Sequence, residues 1–230
     1  MNIVTVTDKR IMDEIGDYEG MFGEGDILIA GFGTTDDFNY IAEFDGRTEY
    51  FKKYIRLSKE KKIILICATV SRLMGRYYHT AAVIHKGTVL GVSDQTHKTH
   101  SELTLGNSLK LYETDGGVLG ILIGEDIFFP ECPMTLALCG AERLIYLSNG
   151  QYNKETDAML KAAAIFCGIS VTAVFLDFTV EYTNRGMKNV IESEDLLIFE
   201  NVLKRNDIYL KCRRQIVYDS ILVNKRNGGQ

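Results

Sequence analysis

Six short apolar runs punctuate the chain, at residues 26–30, 62–69, 80–85, 119–123, 144–147 and 169–175. Each is rich in Ile, Val and Leu and is bounded by Gly, Asp or charged residues, the pattern of buried strands. Helical spacing lies between them. Residues 38–60 carry Tyr40, Ile41, Phe44, Phe51, Tyr54, Ile55 and Leu57, with Gly46 as a break, so the better helix is expected after that glycine. Residues 133–140 read as a second helix with Gly140 at its C′ position, where glycine accepts the left-handed conformation. Residues 156–167 read as a third, stopped by Gly168, with Glu155 and Asp157 placed to favour its N-terminal dipole. Two β-branched runs, 81–85 and 88–92, flank Lys86-Gly87 and predict a hairpin. Strand–helix units mixed with a hairpin predict stacked mixed sheets with helices outside.

Beyond Gly186 the pattern weakens. Segments 196–199, 208–211 and 216–217 read as short strands between charged turns, 213–219 as an arm that packs on a partner subunit, and 227–230 as a frayed end. No repeat or low-complexity linker divides the chain. It is expected to form one domain over 1–230, with a short divergent C-terminal segment at 186–230.

Composition narrows the class. Hydrophobic residues at 46% and charged residues at 25% are ordinary for a soluble globular protein. A net charge of −5 argues against a general nucleic-acid binder, which needs a basic patch for phosphates. Lysines 59, 61 and 62, and Arg213-Arg214, read as solvated faces. No run approaches the ~18 apolar residues of a membrane span, and residues 1–10 lack the pattern of a signal peptide. The five cysteines, Cys67, Cys132, Cys139, Cys167 and Cys212, are odd in number and show no C-x-x-C pair. They suggest a reduced, cytoplasmic protein without a metal or other cofactor.

The most specific segment is 120–142, GILIGEDIFFPECPMTLALCGAE. A buried strand ends in Gly124-Glu125-Asp126. A loop with Phe129-Pro130-Glu131 follows, then a helix closing on Gly140-Ala141-Glu142. This resembles the nucleophile region of the carbon–nitrogen hydrolase (nitrilase) family. Gly106-Asn107 resembles that family's Gly-Asn turn, the 81–92 hairpin resembles the one before its catalytic lysine, and 25–29 resembles the strand leading to its catalytic glutamate. The likeness runs in order from Ile3 to Phe175.

The resemblance implies a four-layer αββα sandwich, usually paired into a dimer. It also implies chemistry by three groups: a cysteine that attacks an amide or nitrile carbon, a glutamate that moves protons and a lysine that stabilises the oxyanion. At the matching positions this sequence has other residues. Gly124 stands at the cysteine position, in a register fixed by Gly120 and by Asp126-x-x-Phe129-Pro130-Glu131. Phe32 stands at the glutamate position, with Gly31 where the family has proline. Gln95 stands at the lysine position. Loss of all three removes nucleophile, base and oxyanion donor together.

Neighbouring residues offer substitutes, each with a plainer alternative. Glu125 is either a working carboxylate or a loop residue, and Asp126 reads as a loop-holding cap. Cys132 is either a relocated nucleophile at a helix N-terminus or a thiol packed beneath that helix. Lys98 stands three residues past Gln95 and would have to reach back. His97, Lys98, His100 and Glu102 form the densest polar cluster. His97 reads as a hydrogen-bonded structural residue, with metal ligation as the alternative. Glu102 stands near the family's supporting glutamate. Phe32 either fills the cleft or makes it suit an apolar ligand. Tyr77, Tyr78 and His79 read as rim or interface residues.

The sequence therefore predicts a catalytically inactive member of this superfamily, acting as a small-ligand-binding or assembly protein. The pocket candidates are Phe32, Gln95, His97, Glu102, Gly124 and Glu125. The expected partners are a small-molecule ligand and further copies in a homodimer or higher homo-oligomer, not nucleic acid or membrane. The alternative is a hydrolase of small amides or nitriles using Glu125, Lys98 and Cys132.

Overall fold

The computed structural model describes residues 2–18, 20–99, 102–190, 196–200, 206 and 208–214. In chain order the elements are β1 (Asn2–Val6), α1 (Lys9–Glu14), β2 (Ile27–Ala30), β3 (Phe38–Asn39), α2 (Tyr40–Phe44), α3 (Lys52–Lys61), β4 (Ile64–Leu73), β5 (Arg76–His85), β6 (Thr88–Asp94), β7 (Leu111–Thr114), β8 (Gly117–Ile123), α4 (Glu131–Leu138), β9 (Arg143–Leu147), α5 (Lys154–Cys167), β10 (Ser170–Val174), β11 (Thr179–Tyr182), β12 (Lys188–Val190), β13 (Leu196–Glu200) and α6 (Ile208–Lys211).

Two mixed sheets result. One runs β13-β1-β2-β4-β5-β6, with β3 beside β4, and the other runs β12-β11-β10-β9-β8-β7. Successive strand residues point to opposite faces, so the apolar runs serve two cores at once. Ile27, Ile29, Ile64 and Ile66 of the first sheet meet Ile121, Ile123, Ile145 and Leu147 of the second in a central cluster. Their alternates Leu28, Ala30, Leu65 and Cys67 pack outward on Met12 of α1 and on Tyr54 and Leu57 of α3. Leu122, Leu144, Tyr146 and Ala173 pack outward on Leu136 of α4 and Leu160 and Ala164 of α5. This is the expected αββα order.

The local signals explain the breaks. Gly46 has φ +71° and separates α2 from α3. Lys86 and Gly87, both at positive φ, close the β5–β6 hairpin, as a two-residue turn of this hand requires. The Asn153 side chain caps α5 by accepting from Thr156 N–H at 2.9 Å, and Gly168 ends it at φ +66°.

The C-terminal expectations divide. Segment 196–199 is strand, as β13, pairing antiparallel with β1. Segment 208–211 is helix rather than strand, because Ile208 and Leu210 are too few apolar positions to distinguish the two periods. The expectations for 216–217, for most of the 213–219 arm and for 227–230 lie outside the described residues, as does His100.

An ion pair lies within the second sheet. Arg143, fully buried, donates to Glu181 Oε1 at 2.7 Å and to Thr172 Oγ1 at 2.9 Å, joining β9 to β10 and β11. Burial pulls the Arg143 pKa down and Glu181 opposes that shift.

Candidate functional site

The three positions that the resemblance matches to the triad, Phe32, Gln95 and Gly124, lie together where strands of both sheets end. β2 ends at Ala30 and delivers Phe32, β6 ends at Asp94 and delivers Gln95, and β8 ends at Ile123 and delivers Gly124. Gly31 shows why no proline stands there: its N–H donates to Val6 O at 2.9 Å, which proline cannot do.

Gly124 opens a 3-10 turn, Gly124–Phe128, with φ +55°. That left-handed conformation favours glycine. The space a side chain would take is already filled. A Cβ on Gly124 would lie 2.6 Å from Gln95 Oε1 and 2.9 Å from Gln95 Cδ. Gln95 therefore fills the space that a side chain at position 124 would occupy.

Gln95 is buried, and a directed chain of hydrogen bonds holds it. Asn149 Nδ2 donates to His79 Nε2 at 2.9 Å, His79 Nδ1 donates to Gln95 Oε1 at 3.1 Å, and Gln95 Nε2 donates to His97 O at 2.7 Å. Each donor meets an acceptor only if His79 is neutral with its proton on Nδ1. Burial lowers the His79 pKa, and the bond to Gln95 partly opposes this. Phe32, 4% exposed, packs edge-on against the His79 ring at 5.1 Å between centroids. The corner thus consists of an aromatic ring, a neutral imidazole, an amide and a glycine.

His79 corrects the sequence expectation of a rim residue. It is buried at the centre of the corner because it shares the inward parity of Ala81 and Val83 along β5. That alternation was a usable signal. Asn149 had no comparable signal.

Asp126 is buried and holds the loop. Its Oδ1 accepts from Thr96 N at 2.9 Å, Thr96 Oγ1 at 2.8 Å and His97 N at 2.8 Å, and its Oδ2 accepts from Ile123 N at 3.3 Å. The proposed substitutes are engaged elsewhere. Glu125 accepts the Thr99 N–H, Lys98 donates to Leu103 O, and Glu102 is exposed. Cys132, in the first turn of α4, faces the outer core and is 1% exposed. Its Sγ is 3.3 Å from His97 Nδ1, while burial first, with the Asp126 charge adding to it, pushes its pKa up to about 11. His97 also presents Nδ1 to Asp126, at 3.3 Å, and stacks on Phe129 at 4.3 Å. A catalytic relay needs one imidazole nitrogen for the nucleophile and the other for the carboxylate. Here a single nitrogen faces both.

The chain belongs to the carbon–nitrogen hydrolase family, whose model, described as Carbon-nitrogen hydrolase, matches residues 26–174. A probable nitrilase of Schizosaccharomyces pombe is 26% identical over 148 residues, covering 60% of this chain and 54% of that protein. The chain thus spans about half the length of that curated relative. Among solved structures, a carbon-nitrogen hydrolase from Helicobacter pylori G27 superposes with a TM-score of 0.73 at 17% identity, over 96% of this chain and 98% of the other. An amidase from Nesterenkonia sp. superposes at 0.70 with 18% identity, over 96% of each chain. Both structural likenesses concern the fold.

Proposed function

We propose that this protein is a noncatalytic member of the carbon–nitrogen hydrolase family and serves as an assembly partner rather than as an amidase or nitrilase. The observation that carries this reading is the packing of Gln95 into the side-chain space of Gly124. The corner has no nucleophile, and Phe32 contributes apolar bulk where a proton carrier is needed. The same packing favours assembly over the binding of a small ligand at this point.

The partner is a second copy of the chain, in a homodimer or larger homo-oligomer. Supporting this, Met134 of α4, Phe166 of α5 and Tyr209 and Leu210 of α6 line one largely apolar groove together with Cys212, Arg213 and Arg214, while Leu138 and Ile208 are exposed on the same helical layer. All five cysteines are unpaired, which supports a reducing, cytoplasmic setting. Among the described residues no helix is long and apolar enough to cross a membrane.

The test is ammonia release from small amides and nitriles by the purified protein, paired with its mass in solution. Butyramide belongs in the panel because a variant of the Nesterenkonia amidase was solved in complex with it. No release and a mass of two or more chains are expected. Turnover would overturn the noncatalytic reading in favour of a rearranged hydrolase, and a monomer at micromolar concentration would overturn self-assembly.

A further inference from the structure

Beside the filled corner lies a group of side chains that neither the family chemistry nor the assembly reading uses. His97 Nδ1, Cys132 Sγ and one carboxylate oxygen of Asp126 all lie within 4.8 Å of one another. They come from three separate segments: the loop after β6, the first turn of α4 and the 3-10 turn after β8. We propose that these three residues form a binding site for one divalent cation of the zinc class.

The donor set carries the proposal. A thiolate, an imidazole and a carboxylate together suit a borderline-soft ion such as Zn²⁺ and suit Mg²⁺ or Ca²⁺ poorly. Bonds of about 2.0–2.1 Å to nitrogen and about 2.3 Å to sulfur, meeting near the tetrahedral angle, place the two donors ~3.5 Å apart. The observed separation of His97 Nδ1 and Cys132 Sγ is 3.3 Å, and His97 Nδ1 is also 3.3 Å from Asp126 Oδ1. At both of these pairs only a few tenths of an ångström of expansion are needed, and the Cys132 Sγ to Asp126 separation stays within 4.8 Å.

The Thr96 hydroxyl, 2.8 Å from both His97 Nδ1 and Asp126 Oδ1, completes a four-atom group around the same point. It either serves as a weak fourth neighbour or rotates aside for a water. Asp126 keeps its two backbone donors from Thr96 and His97 in either case. Such outer bonds orient a liganding carboxylate, and the Phe129 ring stacked on His97 does the same for the imidazole.

Charge and access agree with this geometry. Ionised Asp126 and a Cys132 thiolate offset a dipositive ion, and the Cys132 proton leaves to solvent as the metal binds. The His97 side chain is 40% exposed while that of Asp126 is 2% exposed, so the site is walled on one side and reachable on the other. No local pattern links Cys132 to His97, since they stand 35 positions apart. The expectation of no metal rested on local spacing alone.

The test is optical titration of the full chain, freed of metal by chelator, with Co²⁺. A thiolate-to-cobalt charge-transfer band that saturates at one ion per chain and is displaced by Zn²⁺ is expected. Cys132→Ala should abolish the band. His97→Asn, at a partly exposed position, should keep the fold and weaken cobalt binding by at least the roughly tenfold that loss of an outer-shell partner costs. If Cys132→Ala fails to fold, the His97→Asn comparison still decides. Absence of the band in the natural protein, or a band unchanged in both variants and so arising from other thiols, would overturn the proposal. The readout is spectroscopic, so it stands or falls separately from the amide-turnover test.

Discussion

Two neighbouring parts of the site behave differently. The corner of Phe32, His79, Gln95 and Gly124 is held by shape: an amide fills the space over a glycine, and an aromatic edge closes it. The adjoining loop frame is held by one carboxylate, Asp126, which gathers N–H groups from residues 96, 97 and 123. A frame that binds backbone works whatever chemistry lies beside it, because every residue there offers the same N–H. A corner built for chemistry depends on particular side chains, and this one is lined by Phe32, His79, Gln95 and Gly124. The backbone frame and the side chains of the corner are therefore separable in this fold.

The contrast can be broken most severely at the frame. Asp126→Ala leaves buried N–H groups without acceptors, each costing about 1–3 kcal/mol. A total loss of about 3–5 kcal/mol is expected, read as a lower urea midpoint with unchanged slope. Asp126→Asn keeps one acceptor oxygen, enough for the Thr96 and His97 N–H groups but not for that of Ile123 as well, and should lose less. Equal losses would show that charge, not acceptance, holds the loop.

Gly124→Cys comes next. Its left-handed backbone disfavours any side chain by about 1–2 kcal/mol, and collision with Gln95 adds overpacking strain of about 1–3 kcal/mol. Gln95→Ala should relieve the second part only. A double-mutant cycle of urea midpoints should therefore show coupling of at least about 1 kcal/mol. Additive effects would mean that Gln95 does not occupy the nucleophile's room.

A smaller effect tests the neutral imidazole. The folded protein holds His79 below its ordinary pKa of 6.5, chiefly through burial. As pH falls below 6.5 the unfolded chain takes up that proton before the folded one does. Stability is then full above 6.5 and declines on acidification through that window. His79→Gln should remove this part of the decline, measured as urea midpoints of both proteins across the range. Parallel curves would refute the assignment.

The smallest change is expected for Glu125→Gln, within about ±0.5 kcal/mol of the natural stability, since an amide oxygen can still accept from Thr99. It should also leave ammonia release at background. A fall in any measured turnover would return Glu125 to the list of working groups.

Much of this architecture was legible from the chain. Apolar runs with alternating destinations gave the two sheets, and Gly46, Lys86-Gly87, Gly140 and Gly168 marked breaks that the backbone confirms by positive φ at each position. These signals are local, set by side-chain period and by the few residues that tolerate such angles. The motif around Gly124 likewise pointed to the strand end where Gln95 and Gly124 meet. The role of His79 was half visible, in its parity with Ala81 and Val83. Segment 208–211 was misjudged because four residues hold too little periodic information.

The sequence by itself determined the layers and the family, because these depend on residue type and order. Only the tertiary structure decided that Gln95 lies over Gly124, that His79 joins Phe32 to Gln95, and that Cys132 meets His97 and Asp126. Those contacts join strand ends and loops separated by many residues. Their distances are set by how the two sheets stack, which no local window of sequence contains.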